Sequence, residues 1–249
     1  MTTPLLSVNI NKFALVRNSR GRDAPNLLRA ADSMLAAGAH GITIHPRMDQ
    51  RHVRFDDVLP LARHMSQHHP QVELNIECED HPGLIDLVIE ADPAQCTLVP
   101  VSPGEVTSDH GWTLPRQLER LRPTVDRLRR RGIRVSLFAE CDPQAMPHFA
   151  ATGAQRVELY TGPYAWAWGT DTQDIEVQRV AATTAAARAV GLGVNAGHDL
   201  DRHNLAGLRD MTGVDEVSIG HALVCRALEV GGRQSVQELI SALGWPVTG

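Results

Sequence analysis

The stretch Val194-Asn195-Ala196-Gly197-His198 decides the fold. A short apolar run that stops in small residues and then presents a histidine is typical of a parallel strand buried on both faces. The same arrangement recurs in Gly41-Ile42-Thr43-Ile44-His45 and in Val217-Ser218-Ile219-Gly220-His221. One histidine after a strand is usually a loop residue, whereas three at matching strand ends predict a shared pocket at the mouth of an α/β barrel.

Strand-like and helical patterns alternate along the whole chain. The predicted strands cover 5–11, 42–45, 72–77, 96–99, 134–140, 157–161, 192–196 and 216–219. The predicted helices cover 26–37, 54–68, 83–90, 115–131, 143–152, 172–190, 202–211, 222–229 and 235–243. Eight units in order, with no break in composition, predict one domain over 1–249 that folds as an α/β protein, a single (β/α)8 TIM barrel with extra helices. A doubly wound open sheet is the alternative, but no glycine fingerprint follows the first strand.

Composition excludes several classes of protein. The 249 residues are 43% hydrophobic and carry a net charge of -5, which gives no electrostatic reason to expect a nucleic-acid partner. Four cysteines lie far apart without a CxxC pair, which argues against a zinc ribbon or a disulfide framework and suits a reducing cytoplasm. The sequence has neither a signal-peptide pattern nor an apolar run of ~20 residues, so we expect a cytoplasmic protein without a membrane partner.

Polar residues collect after the predicted strands, where barrel enzymes carry their chemistry. They are Asn9, Asn11, Lys12, His45, Arg47, Glu77, Thr107, residues 160–162, His198, Gly220 and His221. Acid/base groups, cations and amides dominate this set, which predicts a polar binding pocket.

Glu77 is the candidate general base. Strand alternation points Asn75 and Glu77 into the top of the barrel, where a carboxylate either pairs with Arg47 or has a raised pKa. A salt bridge that only closes the barrel end is the structural alternative. His45 and His198 are the accompanying proton-transfer candidates, because imidazole titrates near neutral pH.

The eighth unit predicts a phosphate site. Residues 218–222 run from a strand into a helix through Gly220, and barrels commonly bind phosphate there through backbone N–H groups. Arg20 and Arg47 could add positive charge.

A catalytic metal is not expected. Barrel metallohydrolases usually carry an H-x-H pair on the first strand, and residues 8–11 contain no histidine. His64, His68 and His69 fall in a polar helix end and are predicted to be solvated.

The chain resembles the pyridoxine 5'-phosphate synthase family over nearly its whole length. The blocks that carry the resemblance are 7–10 (SVNI), 15–21 (LVRNSRG), 41–47 (GITIHPR), 49–52 (DQRH), 75–77 (NIE), 97–100 (TLVP), 134–138 (RVSLF), 160–165 (YTGPYA), 194–198 (VNAGH) and 219–222 (IGHA). So many ordered blocks make the resemblance specific.

The resemblance implies a (β/α)8 barrel, a homo-octamer and no cofactor. The implied reaction condenses 1-deoxy-D-xylulose 5-phosphate with 3-amino-2-oxopropyl phosphate and releases inorganic phosphate and water. His45 and Glu77 would be the acid/base residues and His198 the proton donor. Asn9, Arg20, Gly220 and His221 would hold the aminoketone phosphate, and Asn11, Lys12, Arg47, His52 and Thr107 the sugar phosphate.

Four positions depart from the family pattern. Many members have Asp-His at Asn11-Lys12, histidine at Tyr160 and glycine at Asp199. The change at 11–12 removes a carboxylate and introduces a fixed cation. A backbone N–H contact at Asp199 survives the change, whereas the added carboxylate would weaken phosphate binding nearby.

Two alternatives stay open from the sequence. Lys12 is the only lysine in the chain, and a desolvated amine at a strand end could form a Schiff base with a ketose phosphate, as in barrel aldolases. A barrel that binds phosphorylated metabolites without turnover is the second alternative.

Overall fold

Eight parallel strands close into a barrel in the computed structural model, which describes residues 3–102, 104–112 and 117–247, with the backbone alone at 118 and 119. The strands are β1 Leu5–Asn9, β2 Gly41–Ile44, β3 Glu73–Cys78, β4 Gln95–Leu98, β5 Arg134–Ala139, β6 Arg156–Tyr160, β7 Gly193–Gly197 and β8 Glu216–Ile219. Each strand pairs in parallel with the next in sequence, and β8 pairs with β1. The predicted fold class is confirmed.

Helices connect the strands and surround the barrel. They are α1 Asn11–Asn18, α2 Leu27–Ala36, α3 Phe55–His68, α4 Pro82–Ala91, α5 Leu118–Arg129, α6 Met146–Ala151, α7 Gly162–Ala167, α8 Gln173–Ala189, α9 Leu205–Arg209, α10 His221–Val230 and α11 Gly232–Ala242, with a 3-10 turn at Pro143–Ala145. The predicted first strand was too long, because β1 ends at Asn9 and the chain turns into α1 at Asn11. Helices α1 and α7 were not predicted. The predicted start of the fourth helix at 115–116 lies outside the described residues.

The apolar core lies between the strands and the helices. Alternate strand residues such as Val8, Ile42, Ile76 and Val194 point outward, are fully buried and belong to one continuous hydrophobic cluster with the helices. Apolar packing of the outer face of the sheet against the helices therefore stabilises the barrel. The side chains on the inner face do not belong to this apolar layer.

The inner face of the barrel, here called the lumen, is polar. Ser7 Oγ lies 2.7 Å from Thr43 Oγ1, Asn75 Nδ2 donates to Thr43 Oγ1 at 3.4 Å, and Thr97 Oγ1 donates to Asn75 Oδ1 at 3.1 Å. These hydrogen bonds link β1 to β4 across the lumen. Buried polar groups that satisfy one another avoid the cost of desolvation.

The lumen contains charged groups nearer the amino ends of the strands. Arg134 forms an ion pair with Glu73 and donates to Gln95 Oε1 at 2.9 Å. Arg156 donates to Asn195 Oδ1 at 2.8 Å. The carboxyl end of the barrel is thus set above a layer of charged and amide side chains.

No helix in the described part of the chain is both long enough and apolar enough to cross a membrane.

Candidate active site

A carboxylate and an imidazole meet at the carboxyl ends of β2 and β3. His45 follows β2 directly and Glu77 lies near the end of β3, with His45 Nδ1 3.4 Å from Glu77 Oε2. Their side chains are only 6% and 11% exposed. The second ring nitrogen of His45, Nε2, is buried and has no hydrogen-bond partner among the described residues. An imidazole with one nitrogen beside a carboxylate and the other unpaired is arranged for proton transfer.

Two asparagines fix the backbone at His45. The N–H of His45 donates to Asn11 Oδ1 at 2.8 Å, and the N–H of Asn11 donates to Asn9 Oδ1 at 3.0 Å. Asn11 is buried in the first turn of α1 and does not lie at a strand end as predicted. This chain of hydrogen bonds connects β1 to the turn after β2, so Asn11 positions His45.

His198 follows β7 and packs between aromatic rings. Its ring centroid lies 5.1 Å from that of Phe138 and 5.5 Å from that of Tyr160. Burial lowers the pKa of His198, while the charges of Glu77 and Asp199 act in the opposite direction and His45 adds to the lowering. Because β2, β3 and β7 are parallel strands of one closed barrel, the three predicted acid/base residues lie at the same end of it.

A loop after β4, described at residues 99–102 and 104–112 and here called the mouth loop, is tied to the turn after β2. Arg47 and Glu105 form a buried ion pair with Nη2 2.6 Å from Oε1. Arg51 Nη1 donates to the carbonyl oxygens of Glu105 and Val106 at 3.0 and 2.8 Å. Arg47 therefore pairs with Glu105 and not with Glu77, so the ion pair considered from the sequence does not form.

His52 lies beside this pair as a neutral donor. Burial and the neighbouring charges of His45 and Arg47 lower its pKa to about 3. Its Nδ1 accepts from the N–H of Val53 at 3.0 Å, so the proton is on Nε2. Lys12 is half-buried on α1 and contributes to the positive field at His52. Lys12 is in a helix and not at the strand end where the Schiff-base alternative places it.

Gly220 precedes α10, and no side chain of the described residues caps the N-terminal backbone N–H groups of this helix. A Cβ at Gly220 would lie 2.9 Å from the carbonyl oxygen of Asn9, so only glycine fits between β8 and β1 here. The first turn of α10 contains no acidic residue. Unpaired N–H groups at a helix N-terminus suit a phosphate.

The third histidine of the predicted pocket lies apart from the other two. The His221 side chain is exposed, with Nε2 3.6 Å from Cys225 Sγ one turn along α10. Of the three predicted histidines, only His45 and His198 have buried or half-buried side chains at the barrel mouth.

Two other predicted binding residues are exposed. Arg20 lies just after α1, and Thr107 lies on the mouth loop. Neither side chain has a hydrogen-bond or ion-pair partner among the residues that the structure describes.

The family described as pyridoxal phosphate biosynthesis protein PdxJ matches residues 6–244. The chain belongs to this family. It is 51% identical to a pyridoxine 5'-phosphate synthase of Albidiferax ferrireducens, with 98% of each chain covered. It is 46% identical to a protein of the same name from Xanthomonas axonopodis pv. citri, with 98% of this chain and 97% of the relative covered.

Solved structures with low sequence identity share the fold of this PdxJ family member. The tryptophan synthase A-subunit from Pyrococcus furiosus has a TM-score of 0.64 at 14% identity and covers 96% of this chain and 98% of its own. Phosphoribosyl anthranilate isomerase from Thermus thermophilus has a TM-score of 0.58 at 15% identity, with 96% and 98% covered. These similarities support the barrel alone.

Asp199 has a left-handed backbone conformation. Many members of the family that the chain resembles have glycine at this position. The φ of Asp199 is +56° and that of His198 is +82°, both unusual for residues with a side chain. The indole N–H of Trp166 on α7 donates to Asp199 Oδ2 at 2.9 Å. The added carboxylate of this PdxJ family member is thus tied to α7.

Glu158 on β6 is a site residue that the sequence reasoning missed. It is buried, and desolvation together with the charges of Glu77 and Glu216 raises its pKa. Its Oε2 has no partner among the described residues, and Gly197 leaves room for its Oε1. Strand alternation was the available signal, because Glu158 lies two residues before Tyr160, which had been placed at the mouth.

Proposed function

We propose that this PdxJ family member is a pyridoxine 5'-phosphate synthase. It condenses 1-deoxy-D-xylulose 5-phosphate with 3-amino-2-oxopropyl phosphate to form pyridoxine 5'-phosphate, inorganic phosphate and water. The observation that carries the proposal is the contact of His45 with Glu77 at the same end of the barrel as His198 and the uncapped start of α10. The names of the curated relatives support the same reaction.

The acid/base steps follow from the arrangement of the three residues. An amine attacks a ketone, a carbinolamine loses water and a carbon acid loses a proton, so the site must accept and return protons repeatedly. Glu77 and His45 accept them, since Nδ1 of His45 lies beside Glu77 and its Nε2 has no hydrogen-bond partner among the described residues. His198 returns them, because a lowered pKa makes its imidazolium the stronger acid. Burial and the charges of Glu77 and Glu216 raise the pKa of Glu158, which favours the protonated carboxyl as a hydrogen-bond donor to developing negative charge.

Two groups of residues hold the substrates. The aminoketone phosphate is bound by the side chains of Asn9 and Arg20 and by the backbone N–H groups of Asp199, Gly220 and His221. The sugar phosphate is bound by a second group of residues, Asn11, Lys12, Arg47, His52 and Thr107. Arg47 already has a buried carboxylate partner in Glu105, so phosphate binding shares or replaces that contact. His52 supplies a neutral N–H, which suits a sugar hydroxyl or phosphate oxygen.

The proposal also includes the oligomeric state, the location and the partners of the enzyme. The family resemblance supports a cytoplasmic homo-octamer whose partners are the two phosphorylated substrates, with no cofactor, nucleic acid or membrane. Light scattering of the purified protein measures the oligomeric state directly.

The decisive test is product formation. Purified protein mixed with both phosphates should yield pyridoxine 5'-phosphate, identified by its absorbance and mass. Glu77→Gln and His45→Asn should each lower kcat by about 100-fold or more, the usual effect of removing a general acid or base. Glu90→Gln, on the exposed side of α4, is the matched control. Unaltered turnover in the first two variants would show that the residue roles are wrong, and no product from the wild type would favour a non-catalytic binding barrel.

Borohydride trapping separates the synthase from the Schiff-base alternative. Reduction of the protein in the presence of the sugar phosphate should leave the peptide containing Lys12 unmodified. A stable adduct of substrate mass on Lys12 would favour the aldolase-like reaction.

A further inference from the structure

Three side chains on the outer surface of the barrel converge on a single point. His64 Nε2 and His69 Nε2 lie 2.7 and 2.8 Å from the same atom, Asp32 Oδ1. Asp32 is on α2, His64 is in the last turns of α3, and His69 is the residue that ends α3. The sequence predicted solvated histidines here, but the side chains of His64 and His69 are only 18% and 26% exposed.

The helix packing explains why these residues meet. Asp32 follows the buried Ala31 on α2, and His64 precedes the buried Met65 on α3, so each lies at the edge of a buried helix face. The backbone of His69 is fixed on both sides, since its N–H donates to the Met65 carbonyl and its carbonyl accepts from Val72. The cluster therefore rests on rigid elements.

We propose that Asp32, His64 and His69 form a site for a divalent transition-metal ion, with Zn²⁺ as the best-fitting probe. The three ligand atoms all lie within 4.8 Å of one another. Zinc takes His nitrogen at about 2.0–2.1 Å and carboxylate oxygen at about 2.0–2.2 Å, so tetrahedral ligands stand about 3.3 Å apart. Small side-chain rotations would bring the three atoms to that spacing. Two imidazoles and one carboxylate are a ligand set that zinc accepts, and water completes the coordination on the side of Asp32, whose side chain is 44% exposed.

The proposed ion would join α2 to the end of α3 and would not take part in turnover. The site lies on the helices that lead into β2 and β3, outside the mouth that contains His45 and Glu77. Its expected effect is on stability, because a ligand that binds only the folded state raises the free energy of unfolding. The proposal does not depend on the proposed synthase activity.

The test uses the full chain after treatment with a chelator. In calorimetric titration with Zn²⁺, the wild type should bind one more equivalent than His69→Gln or Asp32→Asn. At a hundredfold excess over Kd, Zn²⁺ should raise the Tm of the wild type by at least about 4 °C and should not shift the Tm of these variants through this site. Co²⁺ in place of Zn²⁺ should give the intense visible bands of a tetrahedral site in the wild type and not in His69→Gln or Asp32→Asn.

His148→Gln is the matched control, because His148 is an exposed histidine on α6. This variant should keep the full stoichiometry, the Tm shift and the Co²⁺ spectrum. A second acidic and imidazole cluster, Glu105, Asp109 and His110, is also compact enough to take an ion, so the difference between wild type and variant is the quantity to compare. Equal stoichiometry and affinity in the wild type, His69→Gln and Asp32→Asn would overturn the proposal and leave a simple ion-pair cluster.

Discussion

Asp199 combines two unfavourable features at one residue. Its backbone is left-handed, which costs free energy for any residue with a Cβ, and its carboxylate adds negative charge where phosphate is proposed to bind. Trp166, which is 65% exposed, donates its indole N–H to that carboxylate. The contact holds the charge on the α7 side, so the backbone N–H of Asp199 remains the group offered to a phosphate.

Substitution of Trp166 tests this role. Trp166→Phe should raise KM for the aminoketone phosphate about fivefold, because a released carboxylate repels the phosphate by roughly 1 kcal/mol at exposed distances. In an Asp199→Gly background the same substitution should change KM little, since no carboxylate is left to release. Steady-state kinetics of the four proteins give the comparison, and an equal effect of Trp166→Phe in both backgrounds would contradict the role assigned to the contact.

The sequence predicted where the candidate acid/base residues lie because strand geometry alone places them. Glu77 and His45 come at strand ends, and parallel strands bring those ends together. The partner of Arg47 could not be predicted, because Glu105 belongs to an irregular loop whose path depends on tertiary contacts. Asn11 was read as a strand-end binding residue, since four residues of apolar and polar alternation do not show where a strand stops and a helix begins.

At the level of elements, the mouth loop is held by two arginines from the turn after β2. Arg47 supplies a buried ion pair and Arg51 supplies two hydrogen bonds to loop carbonyls. Val99 and Trp112 at the ends of the loop are buried in hydrophobic clusters, whereas Val106 is 88% exposed and no residue of the segment 104–110 belongs to either cluster, so this segment has little apolar packing of its own. Its position therefore depends on the arginine contacts.

Removal of the Arg51 contacts should loosen the loop. Arg51→Gln is expected to increase amide hydrogen exchange in residues 104–110 and to raise KM for the sugar phosphate, because Thr107 lies in this segment. Arg63→Gln, an exposed arginine on α3, serves as the control and should leave both measurements unchanged. Unchanged exchange in Arg51→Gln would mean that other contacts hold the loop.

The elements that were missed are short and depend on tertiary contacts. Helix α7 has six residues and begins Gly-Pro, which reads as a turn in the sequence. In the fold, the hydroxyl of Tyr164 on this helix donates to the carbonyl of Asn204, which fixes α7 against the loop after β7. By contrast, β8 was predicted with its observed ends, Glu216–Ile219, because strand and helix signals change sharply at Gly220.

For the whole molecule, the polar lumen makes stability depend on pH. Glu216 is 5% exposed on β8, and desolvation is the largest cause that raises its pKa to about 7, with Arg156 opposing. The folded protein then binds this proton more tightly than the unfolded chain does. The contribution to stability is complete below the ordinary pKa of 4.5 and is lost as the pH rises towards 7.

Replacement of Glu216 should remove this dependence. Relative to the wild type, Glu216→Gln is expected to gain up to about 3 kcal/mol in the free energy of unfolding between pH 5 and pH 8. Denaturant titrations at several pH values measure the difference. Glu90→Gln, exposed on α4, should run parallel to the wild type, and a difference for Glu216→Gln that does not vary with pH would contradict the assigned titration.

The pairing of β8 with β1 also has a consequence for synthesis on the ribosome. The first strand cannot gain its second neighbour until Ile219 has emerged, so for most of translation β1 has one unpaired edge. Leu6 and Val8 are fully buried in the folded protein, but their side chains are partly exposed during that time. We expect chaperones that cover exposed strand edges to bind this nascent chain.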